Sequence, residues 1–358
     1  MDKNQILDYL KTSDEAKLAQ LWEKADRLRK QYVGDGVHLR GLIEISNYCC
    51  RSCHYCGLRR EHEDIQRYRM PDDEIIECAQ MAAEYGYGTV VIQAGEDFGI
   101  TAARIAKIVE TIKTQTPLAV TLSLGERGDD ELKLWRGSGA DRYLLRFETS
   151  DPDLYKKIHP QRAQTISDRI AIIRKLQELG YEAGSGVMIG IPGQTYETLA
   201  NDLLLFKELD LDMVGVGPYI AHPDTPLGQM PLPDSPQQPR PTELMTYKMI
   251  ALIRILCPEA NIPSTTALAT INKATGREFG LQRGANVVMP NMTPRKYRAL
   301  YEIYPSKACI DETAQQCRHC LRGRIESIGR HIAAGPGSRT RRSKLNPSNA
   351  NTNPIPLF

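Results

Sequence analysis

Gly41-Leu-Ile-Glu-Ile-Ser46-Asn-Tyr-Cys49-Cys-Arg-Ser-Cys53-His-Tyr55-Cys56-Gly57 carries a short apolar run, 41–45, straight into three cysteines spaced C-x3-C-x2-C. A structural zinc or an ordinary iron–sulfur cubane takes four protein ligands. Three thiolates on one short loop, with the aromatic Tyr55 ahead of the last, point instead to a 4Fe–4S cluster with one iron left open. Such an iron most often takes S-adenosylmethionine (SAM). A chance triplet in a cysteine-bearing chain is the alternative.

Outward from this loop, short apolar runs alternate with amphipathic helices. Eight runs read as strands: 42–46, 89–94, 119–124, 142–147, 186–189, 213–218, 264–268 and 286–289. Several are apolar throughout, as strands buried on both faces of a parallel sheet are. Between them lie helical stripes such as Ile166, Ile170, Ile173, Leu176 and Leu179, or Leu199, Leu203, Phe206 and Leu209 with Thr195 as N-cap. Eight βα units in a 358-residue chain predict an α/β fold, a (βα)8 TIM-type barrel. Two helices, 5–10 and 15–30, precede it. The expected division is an N-terminal helical segment (1–33), the barrel (34–305), a C-terminal cysteine-cluster extension (306–333) and a disordered tail (334–358) rich in Gly, Pro, Ser and Asn. The Pro-rich stretch 228–241 reads as a surface insertion after the sixth strand.

The net charge of +2 announces no nucleic-acid or membrane partner, although the tail carries a basic cluster at 339–344. Nine cysteines, clustered rather than spread, favour metal ligation in a reducing cytoplasm over secreted disulfides. Met1-Asp-Lys-Asn-Gln5 is no signal peptide, and no run approaches the roughly 18 apolar residues that span a bilayer.

In a barrel the chemistry gathers on the loops after the strands. The cysteine loop follows the first strand. Gln93 and Gly95-Glu96 follow the second, Thr121 and Ser123 lie in the third, and Arg146 and Glu148 end the fourth. Met213 opens the sixth, Thr265-Thr266 lie in the seventh, and Met289 ends the eighth. One such polar residue reads as a locally satisfied barrel group; so many converging on one mouth read as a ligand site. The glycine-rich stretch 186–193 after the fifth strand lacks the Lys-Ser/Thr of a phosphate loop and fits an adenine-contacting turn. A second triplet, Cys309-x7-Cys317-x2-Cys320, follows the barrel. A second iron–sulfur cluster is the expectation there, with zinc or free thiols as alternatives. Cys78 and Cys257 read as helix-packing residues.

From about Gly34 to Gly329 the sequence resembles the radical-SAM FeFe-hydrogenase maturases of the HydE family. The resemblance rests on Cys49-x3-Cys53-x2-Cys56-Gly-Leu-Arg-Arg60, Tyr68-Arg-Met70, Gln93-Ala-Gly-Glu-Asp97, Thr121-Leu-Ser-Leu-Gly-Glu126 and Asp141-Arg-Tyr-Leu-Leu-Arg146. It extends through Pro192-Gly-Gln-Thr195, His222-Pro-Asp-Thr-Pro-Leu227, Thr265-Thr266, Met289-Pro-Asn291 and the trailing triplet. It implies a cubane on Cys49, Cys53 and Cys56 whose open iron binds SAM, which is cleaved to a 5′-deoxyadenosyl radical. Gly95 and Glu96 would lie near the methionine amine. Glu148 and Arg169 would hold the ribose and the carboxylate, and Met213, Tyr301, Tyr304 and Tyr55 would be further cofactor contacts. Gln93, Thr121, Ser123, Arg146, Thr265, Thr266 and Met289 would line an anion-binding substrate cavity. The trailing triplet would bind a 2Fe–2S or 4Fe–4S cluster. Phe147 stands where the relatives carry a histidine, and 228–241 has no counterpart.

The implied substrate is a small organometallic Fe–CO–CN–cysteine precursor of the hydrogenase di-iron subcluster. An electron donor such as ferredoxin or flavodoxin and other hydrogenase maturation proteins would be partners. Rival readings are a methylornithine synthase-like or biotin synthase-like enzyme acting on a small amino acid, and a non-catalytic iron–sulfur scaffold.

Overall fold

The computed structural model describes residues 1–160 and 167–340; Ile166 of the first helical stripe and the tail beyond 340 lie outside the described residues. Among the described residues there are eight strands: β1 (Gly36–Ser46), β2 (Thr89–Ala94), β3 (Ala119–Ser123), β4 (Arg142–Leu144), β5 (Glu182–Ile189), β6 (Met213–Pro218), β7 (Val287–Val288) and β8 (His331–Ile332). They pair in the order β6-β5-β4-β3-β2-β1-β7, with β8 added to the start of β1, and every pairing is parallel. Alternation along the strands turns Ile43, Ile45, Val90, Ile92, Val120 and Leu122 toward the helical coat, where they are essentially inaccessible to water.

The seventh strand is not at 264–268. Ser264 is followed by Thr265, whose hydroxyl accepts from Leu268 N (3.4 Å) and caps the helix Thr266–Ile271. The seventh place in the barrel is taken by the extended segment 261–264. Val214 N donates to Asn261 O (3.0 Å) and Ser264 N to Val287 O (2.9 Å), so this segment bridges β6 to β7 and closes the barrel by single contacts. Pro263 within it has no N–H to extend a ladder. The eighth expected strand, 286–289, shortens to β7. Past Leu144 the ladder of β4 loosens, but Leu145 N and Glu148 N still reach Gly184 O and Gly186 O at 3.0 Å.

The N-terminal helices are Lys3–Lys11, with an Asp2/Gln5 capping box, and Glu15–Val33; they pack on the helices Tyr196–Glu208 and Glu243–Leu256. The stretch 228–241 is mostly exposed yet anchored. Gln238 is buried, accepts from Gly193 N (2.9 Å) and donates to Ile191 O (3.1 Å).

The expected tail is held down over its described part, 334–340, which crosses the base of the barrel. Thr89 Oγ1 and Arg142 Nη2 both donate to Pro336 O at 3.0 Å, and Arg40 Nη2 and Asn261 Nδ2 donate to Gly337 O at 3.2 and 2.9 Å. Arg339 donates to Asp210 O (2.8 Å) and pairs with Asp210, Asp212 and Glu259. Gly88 makes the approach possible, since a Cβ there would stand 1.7 Å from Gly335 O. No helix among the described residues is long and apolar enough to cross a membrane.

Candidate functional site: a three-cysteine loop at the barrel mouth

The cysteine loop leaves β1 at the strand's C-terminal end and is clamped by side chains the sequence reading passed over. Asn47 Nδ2 donates to Gln66 O (2.8 Å) and Leu300 O (2.7 Å), while its Oδ1 accepts from Tyr68 N (2.7 Å). Arg67 lies inside the loop and donates to four carbonyls, those of Asn47, Leu58, Arg59 and His62, at 2.6–3.0 Å. A guanidinium with five donors is suited to holding a loop that has no ladder of its own. The loop also meets the second strand's turn: Cys50 N donates to Glu96 O (2.9 Å) and Glu96 N lies 3.4 Å from Cys49 Sγ.

Behind the loop runs a buried ionic chain. Arg51 pairs with Glu96 (2.7 Å) and with Glu126 (2.6 Å), and Glu126 also binds Arg169 (2.8 Å) and Ser167 Oγ (2.6 Å). Burial alone would raise the Glu126 carboxyl, but Arg169, Ser167 and Arg51 outweigh it and hold it below its usual range. The chain continues through Tyr155 and Ser167 (2.5 Å) and the stacked rings of Tyr155 and His159 to Tyr55, whose hydroxyl meets His159 Nε2 at 2.9 Å. The Glu96 carboxylate is thus spent on Arg51 and on Glu126 N (2.9 Å); what Gly95-Glu96 offers the mouth is backbone.

The concave face of the sheet is polar. Register places Glu44, Gln93 and Ser123 at one level, with Thr121 two residues below Ser123 on the same face. Gln93 Nε2 donates to Tyr301 OH (3.3 Å), and the buried Glu44 accepts from Asn291 Nδ2 (2.9 Å) and pairs with Lys307. Arg146 Nη2 stands 3.1 Å from Glu148 Oε2, so a residue expected to face substrate and one expected to face cofactor form a single ion pair. Glu148 adopts φ 64°, a left-handed conformation that non-glycine residues rarely take. Its carboxyl is raised by burial, against the opposing pull of Arg146 and Arg169. Bare glycines on β5 and β6 leave room here: a Cβ on Gly186 would lie 3.4 Å from Arg146 Nε, and one on Gly217 3.1 Å from Thr265 Oγ1. Tyr304 is near Arg146 and Glu44, Thr266 opens its helix half-buried, and Met289 follows β7 half-buried.

Met213 is a correction. It opens β6 and therefore lies at the base, where its sulfur is 2.8 Å from Arg40 Nη1, at the opposite end of the barrel from the cysteine loop. A ligand seated at the mouth does not reach it.

Do these residues fit a cluster and its cofactor? Burial pushes all three thiols up, Cys56 to about 12, so thiolates at this depth call for a strongly positive centre such as ferric or ferrous iron. Inside the barrel Thr121 Oγ1, Arg146 Nε and Nη2, and Glu148 Oε2 are buried without a hydrogen-bond partner. The 3.1 Å Arg146–Glu148 ion pair lacks hydrogen-bonding geometry and leaves these groups available to a ligand. The donor set fits.

A parallel barrel with a three-thiol loop after its first strand and a polar interior defines a radical-SAM protein, and residues 43–206 match the Radical SAM superfamily. Over 321 residues the chain is 47% identical to the FeFe hydrogenase maturase subunit HydE of Thermotoga maritima, covering 90% of this chain and 89% of that protein. The chain belongs to the HydE family and is a radical-SAM enzyme, dependent on a 4Fe–4S cluster and SAM. It is also 29% identical to 3-methylornithine synthase of Methanosarcina acetivorans over 281 residues, 78% of this chain and 76% of that one. The crystal structure of methylornithine synthase shares the fold at a TM-score of 0.77 with 24% identity, covering 93% of this chain and 94% of that one.

Gly95 sits where the cluster loop and second strand touch, and a Cβ there would lie 2.2 Å from Tyr48 O and 2.9 Å from Cys49 Cβ. Gly95→Ala is therefore expected to cost about 1–3 kcal/mol of stability and to displace Cys49. Urea denaturation and iron content of the reconstituted protein check this; an unchanged midpoint with full iron would contradict the close packing.

Proposed function

We propose that the enzyme acts in assembly of the FeFe-hydrogenase di-iron subcluster, on a small anionic Fe–CO–CN–cysteine complex held inside the barrel. The observation that carries this reading is Arg146, whose guanidinium is paired with Glu148 but leaves Nε and Nη2 without a hydrogen bond in the barrel interior of a chain so similar to a named HydE. Cys49, Cys53 and Cys56 would hold the cluster. The Gly95-Glu96 backbone, Tyr55, Glu148, Arg169, Tyr301 and Tyr304 would hold SAM. Bound together, cluster and SAM supply one-electron homolytic chemistry; the barrel's own work is orientation and exclusion of water. Gln93, Thr121, Ser123, Arg146, Thr265, Thr266 and Met289 would line the substrate space, a guanidinium fork and hydroxyls suiting an anion with several acceptors. Other maturation proteins would deliver and receive the complex, ferredoxin or flavodoxin would supply the electron, and a reducing cytoplasm suits nine cysteines without a disulfide. The test is activation of apo-hydrogenase in an anaerobic mixture of maturation proteins with and without this chain. Equal activation without it would overturn the proposal.

The trailing triplet would carry a second cluster. Cys317 and Cys320 stand one turn apart on the helix Ala314–Glu326, and Cys309 lies in the preceding loop at φ 65° with Arg277 Nη2 3.6 Å from its sulfur. The hydrogen bond between Cys317 and Cys309 draws the Cys309 thiol down, with the Arg277 guanidinium adding to the pull, and pushes the Cys317 thiol up, so the two sulfurs share a proton that a metal would displace. The triplet sits on the outer wall, and replacing all three cysteines by alanine is expected to lower iron content while SAM cleavage persists. Loss of cleavage in a folded triple variant would place the second site in the catalytic path.

A further inference from the structure

His62, His222 and Asp224 belong to neither cysteine triplet nor the barrel interior. His62 follows the cluster loop, and the other two lie in the loop after β6. His62 Nδ1 faces Gly57 O at 2.7 Å; a carbonyl only accepts, so Nδ1 carries a proton, and in the neutral ring the lone pair is on Nε2. That lone-pair nitrogen is 3.7 Å from Asp224 Oδ2, and His222 Nδ1 is 3.8 Å from the same oxygen. The two imidazoles meet edge to face with centroids 5.6 Å apart, and one donor atom from each of the three residues lies within 4.8 Å of the others.

Tetrahedral bonds of about 2.1 Å set ligand atoms about 3.4 Å apart, so closing these separations needs shifts of a few tenths of an ångström to an ångström. Asp224 is more than half exposed and free to make them, while His222 Nδ1, which accepts from Asp224 N at 3.2 Å, gives up that bond when it coordinates. The group opens on a cavity of about 300 Å³ lined also by Leu58, Leu300, Glu302 and Pro305. Gly57 is required beside it, because a Cβ there would stand 2.6 Å from the His222 ring.

We infer that His62, His222 and Asp224 form a binding site for a divalent first-row cation, zinc being the ion suited to two imidazoles and a carboxylate, with a fourth position open to the cavity. The carbonyl of Gly57 is the outer partner that orients His62, as such partners do at metal sites. A bound ion ties the stretch just after Cys56 to the loop after β6, which already meets the cysteine loop through Leu227 N and His54 O at 2.9 Å. It is a cation site separate from both cysteine triplets, and its ligands are nitrogen and oxygen rather than sulfur.

The test uses the anaerobically purified, cluster-loaded enzyme equilibrated with micromolar zinc and then freed of loose metal. Zinc per chain is measured by mass spectrometry and its ligand shell by X-ray absorption. About one zinc per chain with nitrogen and oxygen neighbours at about 2.0–2.1 Å is expected. It should be lost in His62→Ala and His222→Ala, weakened at least tenfold in the exposed-site variant Asp224→Asn, and kept when Cys309, Cys317 and Cys320 are all replaced. Zinc content untouched by the histidine and Asp224 substitutions, a sulfur shell near 2.3 Å, or no retained zinc in the native enzyme would each overturn the proposal.

Discussion

Alanine in place of Cys49, Cys53 or Cys56 abolishes reductive SAM cleavage, measured as 5′-deoxyadenosine formed after dithionite reduction. The expectation follows from ligand count. A loop that offers three thiolates has no spare; two leave the cubane under-coordinated, and a neighbouring side chain is not free to substitute. Cys50 is the nearest other thiol, but it faces Glu96 at 3.6 Å, inside the Arg51–Glu96–Glu126 chain. The effect should be chemical rather than structural, because the loop's path is set by Arg67 and Asn47 through backbone groups and not by the thiols. Each variant should therefore fold, with a urea midpoint close to that of the iron-free native chain. Normal 5′-deoxyadenosine yields in any of the three would remove the cluster from this loop.

Arg146→Ala is the second large effect, and it divides into two parts. An anion in the barrel would lose a charge-assisted hydrogen bond worth about 1.5–3 kcal/mol, or about ten- to a hundredfold in affinity, so hydrogenase activation should fall by at least that factor. The other part arises from the ion pair with Glu148. Without Arg146 the buried Glu148 carboxyl loses a group that opposes its upward shift, so its charged form is further disfavoured and the KM for SAM should rise several-fold. At saturating SAM the uncoupled cleavage should persist. Wild-type activation by Arg146→Ala would move the substrate elsewhere; an unchanged KM for SAM would mean that Glu148 does not touch the cofactor.

The first six strands were legible because each is a short, largely apolar run, its outward face packed under the helical coat even where its inward face carries Glu44, Gln93, Thr121 or Arg146. The seventh was not. Its true segment, 261–264, contains Asn261 and Pro263 and joins the barrel through isolated bridges, while the more strand-like Ser264-Thr265-Thr266 turned out to be a helix cap. Met213 could have been placed from sequence alone, since a residue that opens a strand of a parallel barrel lies at the base, away from the loops that carry chemistry. The three loop cysteines announced themselves by spacing. Arg51, Arg67 and Glu126 did not, because a lone charged residue reads as solvated surface until its partners, drawn here from separate βα units, are brought beside it. The Arg146–Glu148 pair was hidden for another reason. In a regular strand residues two apart share a face without touching, and it is the left-handed turn at Glu148 that folds one carboxylate back onto its neighbour.

The segment 334–340 turns the barrel into a vessel with a stopper. Pro336 and Gly337 carbonyls occupy the donors of Arg142, Thr89, Arg40 and Asn261, and Arg339 latches the segment to the rim. A container shut at one end is loaded and emptied at the other, and in this chain the other end is where the cysteine loop stands. With the substrate and SAM placed as proposed, two molecules would share one doorway: the inner one would have to arrive first and leave last, and turnover would be governed by queueing as well as by affinity.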